Sequence, residues 1–84
     1  MSSWIIDIIL DNSYTSKAVM RYVDYLRGQQ YIRYNSMFNI EINGFDDYTI
    51  HITTDYDGVK DAVIDTCERE KDYWPHTMIV KEAK

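Results

Sequence analysis

Residues 37–53, MFNIEINGFDDYTIHIT, decide the fold, because they contain two alternating runs around a turn-forming stretch. Every second residue is apolar in residues 37–42, and the alternation returns in residues 48–53. This period of two is typical of β-strands with one buried face. The pair Asn43-Gly44 suits a two-residue turn, but that turn would set Ile40 opposite an aspartate. We therefore predict a hairpin with a loop of three or five residues.

A strand and a helix precede the hairpin. Residues 4–11, WIIDIILD, are short and β-branched, with apolar residues on both faces, which predicts a central strand. Residues 15–27 carry apolar residues at helical spacing. We expect residues 11–13 to provide the capping side chain and Gly28 to end the helix in a left-handed conformation.

A second helix and a last strand follow the hairpin. The helix is predicted to begin near Asp55 or Asp57, either of which could cap it, and to end near Tyr73, before a proline. Residues 77–81 form the last predicted strand. The order β-α-β-β-α-β predicts an α+β, ferredoxin-like two-layer sandwich. Its four-stranded antiparallel sheet would carry both helices on one face.

Length and charge limit the classes of function. A chain of 84 residues predicts one domain, residues 1–84, with a modest core. The net charge of −5, from 14 acids and 9 bases, disfavours direct binding of nucleic acid or of anionic membranes. It suits a basic protein partner, or solubility alone.

The compartment and the source are inferred from composition. Cys67 is the one cysteine, so no internal disulfide is expected, and a reducing compartment fits. The chain has no signal-peptide pattern at its N-terminus and no stretch of about 20 apolar residues, which predicts a cytoplasmic protein. Eight Tyr, eleven Ile and ten Asp are typical of AT-rich genomes, including those of many phages.

The second predicted helix carries five acids at spacings of four, four, three and four. Like charges four residues apart destabilise a helix by roughly 0.2–0.5 kcal/mol for each pair. At helical pitch the acids lie opposite the apolar side of the helix, on its most exposed line. This pattern predicts either a solvated outer face or a surface for a basic partner. The acids are Asp57, Asp61, Asp65, Glu68 and Asp72.

A protein-binding role is the first functional hypothesis. Asp46 and Asp47 add to these five acids, and Phe45 and Tyr56 offer aromatic anchors for a partner. A row of carboxylates resembles a phosphate backbone, so the chain could block a nucleic-acid-binding protein of a host or of its defence system. We expect a phage-encoded inhibitor with no enzymatic activity, no cofactor and no metal.

Two alternatives remain. In the first, Ile5 and Ile9 on the open face of the sheet are covered by a second copy, which gives a dimeric regulatory or assembly module. In the second, the chain is a small metal-dependent nuclease with Asp7 or Asp11 as ligands. Asp11 and the stretch GQQYIRYNSMF at residues 28–38 faintly resemble the small CRISPR-adaptation nucleases, which share this topology.

Other chemistries are disfavoured. The stretch DYDGV at residues 55–59 resembles the aspartyl-phosphate motif of the haloacid dehalogenase superfamily, which needs a much larger parallel-sheet domain. His51 and His76 lie on different predicted strands without ligand spacing, so we expect hydrogen-bonded or surface histidines and no zinc site. Cys67 falls on the buried side of its helix, which predicts packing and not nucleophilic catalysis.

Overall fold

The structure is a computed structural model that describes residues 3–10, 15–29, 36–42 and 48–83. The elements follow the predicted order and form a ferredoxin-like α+β sandwich. Neither described helix is both long enough and apolar enough to span a membrane. The elements are β1 (Ser3–Leu10), α1 (Ser16–Arg27), β2 (Met37–Ile42), β3 (Tyr48–Thr54), α2 (Asp57–Arg69) and β4 (His76–Ala83).

The four strands form one antiparallel sheet in the order β2-β3-β1-β4. Strand β1 is central, as its two apolar faces predict, and pairs with β3 and with β4. In the hairpin, Ile40 lies opposite Ile50 and Ile42 lies opposite Tyr48. This register confirms the prediction of a hairpin with a loop of three or five residues, because five residues separate the two strands. Residues 43–47 lie outside the described residues.

The core lies between the sheet and both helices. Alternate residues of β1 and β3 point into it, and Ile6, Ile8, Ile50 and Ile52 are fully buried. Both helices contribute to this same cluster, so both lie on one face of the sheet, as predicted. Helix α1 contributes Val19, Tyr22, Val23 and Leu26, and α2 contributes Val59, Val63 and Cys67.

The ends of α1 differ from the prediction. The N-cap is Thr15, whose hydroxyl accepts a hydrogen bond from the Ala18 N–H at 3.3 Å, and not a residue within 11–13. Gly28 is right-handed, at φ −71° and ψ −14°, and not left-handed. Its N–H still bonds to the Asp24 carbonyl, and the next N–H bonds to Leu26, so the chain leaves α1 through a continued right-handed turn.

Helix α2 begins without the predicted carboxylate cap. Tyr56 is the N-cap residue, and no side chain caps the helix. The two candidate acids bind β1 instead. The Asp55 carboxylate accepts from the Ser3 hydroxyl at 2.7 Å, and Asp57 accepts from the Trp4 indole N–H at 2.6 Å. Contacts with a distant strand therefore replace the local cap.

Helix α2 ends at Arg69, four residues before the predicted end. The chain then turns, and the Glu70 carbonyl accepts from the N–H groups of Tyr73 and Trp74 at 3.0 and 2.8 Å. The Trp74 ring stacks on buried Tyr22 with ring centroids 4.8 Å apart, which holds this turn against the core. Asp72 therefore lies in the turn after α2 and not on the helix.

Strand β4 is longer than predicted. It pairs with β1 from Ser3 opposite Ala83 to Leu10 opposite His76. Lys81 and Glu82, near its end, are charged and exposed, so no hydrophobic alternation marks this part of the strand. Backbone pairing along the full length of β1 extends the strand beyond residues 77–81.

Candidate protein-binding surface

The acidic residues of α2 point away from the core. The helix buries Val59, Val63, Thr66 and Cys67, as predicted, while Ala62 is half-buried. The side chains of Asp61 and Asp65 remain 71% and 69% exposed. All five predicted acids are exposed, and we call them the acidic surface: Asp57, Asp61, Asp65, Glu68 and Asp72.

The segment that carries the acidic surface contains most of the excess negative charge of the chain. Residues 55–72 hold seven acids against three bases, a net charge of −4, whereas the whole chain has a net charge of −5. The rest of the sequence is therefore nearly balanced. Most of the net negative charge therefore comes from α2 and the residues that flank it.

Two cations lie close to the acidic surface and neutralise it only in part. The Lys60 ammonium lies 3.0 Å from an Asp61 carboxylate oxygen, and Arg69 Nε lies 3.2 Å from Asp65. Ion pairs at exposed carboxylates contribute about 0–1 kcal/mol, so a partner's cations could replace these contacts at little cost. Glu68 has no ion-pair partner among the described residues.

Asp57 has a structural role that the sequence did not reveal. Its carboxylate accepts the indole N–H of Trp4, and the Lys60 ammonium lies over the same indole ring, 4.1 Å from its centroid. Together these contacts tie the first turn of α2 to β1. The available signal was Trp4 itself, because a partly buried indole N–H usually finds an acceptor.

The aromatic anchors are only partly described. Tyr56 is 46% exposed at the start of α2, next to Asp57. Phe45, Asp46 and Asp47, the other predicted partner-binding residues, lie outside the described residues. Tyr73 was predicted to lie at the end of the helix and was not among the predicted partner-binding residues. It lies in the turn beside Asp72 and is 79% exposed.

The structure also reveals a polar cluster on the open face of the sheet, the face opposite the helices. His51 Nδ1 lies 2.6 Å from Asp7 Oδ1, and His51 Nε2 lies 3.0 Å from Glu41 Oε2. The pKa of His51 is raised, and the hydrogen bond with Asp7 is the main cause. The hydrogen bond with Glu41 also raises this pKa, whereas burial lowers it. The imidazolium can donate from both nitrogens.

Sequence spacing could not reveal this cluster. Its members lie on three strands, at residues 7, 41 and 51, and meet only through the strand register. The prediction that His51 is hydrogen-bonded is confirmed, but its two carboxylate partners were not foreseen. The only sequence signal was an acid and a histidine on the polar sides of neighbouring strands.

No metal-binding group of three His, Cys, Asp or Glu side chains occurs within the described ranges. Asp7, one of the two predicted nuclease ligands, bonds to His51 instead. Asp11, the other, lies outside the described residues. The nuclease hypothesis therefore stays a prediction.

Cys67 is buried in the core, which confirms its predicted placement. Burial raises the pKa of the thiol, which disfavours the reactive thiolate. The adjacent Tyr22 hydroxyl is also buried, and its pKa is raised, chiefly by burial. That hydroxyl has no hydrogen-bond partner of good geometry among the described residues. Tyr22 and Cys67 therefore form part of the packed core.

Comparison with known proteins supports the fold alone. No protein-family model and no curated protein matches the chain. Among solved structures, the chain is similar to the de novo designed protein Ferredog-Diesel, with a TM-score of 0.64 and 17% identity over 95% of this chain and 84% of the design. It is also similar to the de novo designed protein Foldit4, with a TM-score of 0.64 and 13% identity over 100% of this chain and 98% of the design. At this level of identity the likeness bears on the fold alone, and it agrees with the ferredoxin-like sandwich described above.

Proposed function

We propose that this chain is a small cytoplasmic inhibitor, encoded by a phage, that docks its acidic surface on a basic nucleic-acid-binding protein. One observation carries the proposal: residues 55–72 hold a net charge of −4 and include five exposed acids on α2 and the turn that follows it. The composition, rich in Tyr, Ile and Asp, supports the phage source.

The spacing of the acids suits a groove that binds a phosphate backbone. Residues three or four apart on a helix are separated by about 4.5–6 Å along its axis. Lys and Arg side chains that bind phosphate also bind carboxylate, with charge-assisted hydrogen bonds. A row of exposed carboxylates can therefore occupy such a groove and exclude the nucleic acid. The concentrated charge would also speed the encounter at low salt.

Aromatic side chains at the two ends of α2 would add the apolar contacts. Tyr56 lies at the N-terminal end and Tyr73 lies just past the C-terminal end, and both are exposed. Tyrosine gives a large contact area and a hydroxyl at low entropic cost. Phe45, Asp46 and Asp47 remain predicted members of the same interface.

The test is capture of a partner from a bacterial lysate, followed by competition with nucleic acid. The tagged chain is incubated at low salt, bound proteins are eluted with salt, and the captured protein is purified. Its binding to labelled DNA or RNA is then titrated with the chain. We expect a nucleic-acid-binding protein that the chain displaces from its nucleic acid.

Matched variants identify the surface. Asp61→Lys with Glu68→Lys reverses two charges of the acidic surface. Asp24→Lys with Glu82→Lys makes the same change in net charge at exposed acids elsewhere. We expect the first variant to lose about tenfold or more in affinity, because reversed charges meet a basic surface, and the second to keep it. Equal capture by both variants, or an unaffected nucleic-acid complex, would contradict the proposal.

A further inference from the structure

The open face of the sheet is a nearly square grid of side chains. The strand register gives three rows of four residues. Neighbouring strands are about 4.8 Å apart, and successive residues along a strand are about 3.3 Å apart. The four corner residues therefore outline a rectangle of about 14 by 13 Å. Its corners are Met37, Lys81, Thr77 and Glu41, in order around the face.

This face combines apolar exposure with nearly balanced charge. Met37 is 72% exposed and Ile79 is 40% exposed, whereas Thr49 of the same face is buried. Both described helices pack on the other side of the sheet. The charges of the grid are Asp7 and Glu41 against Lys81, and His51 adds a positive charge when it is protonated. The face therefore has a net charge of −1 or 0, whereas residues 55–72 have a net charge of −4. Repulsion between copies of the chain is therefore weaker at this face than at the acidic surface.

We propose that this face binds a second copy of the chain in a two-fold symmetric dimer. Glu41 and Lys81 occupy diagonally opposite corners of the grid. A two-fold axis along the other diagonal, from Met37 to Thr77, therefore places each Glu41 over the partner's Lys81. Both ion pairs form at once, because a two-fold interface repeats every contact.

The same axis gives complementary apolar contacts. Met37 lies on the axis and meets its own counterpart, while Ile9 approaches the partner's Ile79. Because the grid is nearly square, the strands of the two sheets cross near a right angle, which is an established packing class for β-sheets. This interface uses the side of the sheet opposite α2, so it leaves the acidic surface accessible and is independent of the inhibitor proposal.

The first experiment measures the mass of the full chain by sedimentation velocity over a range of concentrations near pH 6.5. We expect a reversible monomer–dimer equilibrium. Met37→Glu places two carboxylates opposite each other on the axis and should raise the dimer dissociation constant about tenfold or more. Met20→Glu, a matched change at a 46% exposed methionine of α1, should leave the dissociation constant unchanged.

The second experiment exchanges the corner charges. Lys81→Glu should weaken the dimer about tenfold or more, because two acids then face each other at both corners. Arg21→Glu makes the same change in charge on an exposed residue of α1 and should have no such effect. Combining Glu41→Lys with Lys81→Glu restores opposite charges at both corners and should restore the dimer.

Three results would overturn the proposal. The first is a wild-type chain that remains monomeric at every concentration. The second is a dimer that survives Met37→Glu and Lys81→Glu, which would place the interface elsewhere. The third is a double exchange that stays as weak as Lys81→Glu alone, which would remove the pairing of the corners. Circular dichroism of each folded variant keeps the loss of dimer separate from the loss of fold.

Discussion

At the scale of single residues, the contacts of His51 are the feature with the clearest chemical consequence. The imidazole is 28% exposed and lies between Asp7, which is 20% exposed, and Glu41, which is 60% exposed. Two carboxylates stabilise the imidazolium, so His51 keeps its proton to a higher pH than an ordinary histidine does. The pKa of His51 is raised from 6.5, with the Asp7 hydrogen bond as the main cause.

Replacing Asp7 with asparagine should lower the pKa of His51. In the wild type at concentrations that keep it monomeric, an NMR titration of the imidazole protons should give a pKa above 6.5. In Asp7→Asn the value should fall, because the strongest acceptor loses its charge. An identical pKa in the two proteins would show that Asp7 is not the cause.

The same interaction makes stability depend on pH. Because the folded pKa lies above the unfolded value, protonated His51 stabilises the fold fully below pH 6.5. That contribution is lost as pH rises through the folded pKa. From about pH 6 to about pH 9, the free energy of unfolding should therefore fall less in His51→Gln than in the wild type. An equal fall in His51→Gln and in the wild type would show that His51 is not the source of this pH dependence.

At the scale of elements, the two helices begin in different ways. Helix α1 has a local cap, the Thr15 hydroxyl, which accepts from the Ala18 N–H. Helix α2 has no side-chain cap and is held by Trp4, which donates to Asp57 from β1. The start of α1 is therefore capped by a local bond, whereas the start of α2 depends on the sheet already being formed.

Removing the cap of α1 should destabilise the protein. We expect Thr15→Ala to lower the free energy of unfolding by about 1 kcal/mol, because one N–H of the first turn loses its acceptor. Urea denaturation measures this difference. Thr15→Ser keeps the hydroxyl and should cost much less, and Ser16→Ala, one position later and exposed, is a control. A similar loss in Ser16→Ala would show that the Thr15 bond is not the cause.

The predictions of the strands and helices were correct where apolar residues repeat at a regular spacing along the chain. Alternation placed β2 and β3, and the parity of their apolar residues gave the register of Ile40 opposite Ile50. The range of α1 was predicted closely, but its capping groups were wrong. The cap and the end of α2 were wrong because they depend on which groups lie nearby in space. Asp55 and Asp57 looked like caps in sequence, but hydroxyl and indole donors of β1 compete for their carboxylates.

At the scale of the whole molecule, one core joins all the elements that the structure describes. The buried side chains of β1, β3, α1 and α2 form one contiguous cluster, and Trp74 and Phe38 pack against it. A domain of this size has a total stability of about 4–13 kcal/mol. Loss of one fully buried side chain should therefore affect the entire fold.

Unfolding in urea should be a single cooperative transition. Tryptophan fluorescence and far-UV circular dichroism should give the same midpoint, as expected for one domain. Ile8→Ala, at a fully buried position, should lower stability by about 2–5 kcal/mol and shift both midpoints together. Ile79→Ala, at a 40% exposed position, is the matched control and should cost much less at a concentration that keeps the chain monomeric. Separate midpoints for the two probes would contradict a single domain.

The sequence by itself determined the order of the elements, the central place of β1, the hairpin register and the outward direction of the acids on α2. These features follow from side-chain periods of two and of 3.6 residues, which depend only on near neighbours in the chain. Only the tertiary structure decided the partners of Asp57, the turn that removes Asp72 from the helix, and the meeting of Asp7, Glu41 and His51. Each of these requires groups far apart in sequence to come within hydrogen-bond or ring-contact distance, and strand register and packing, not local pattern, bring them together.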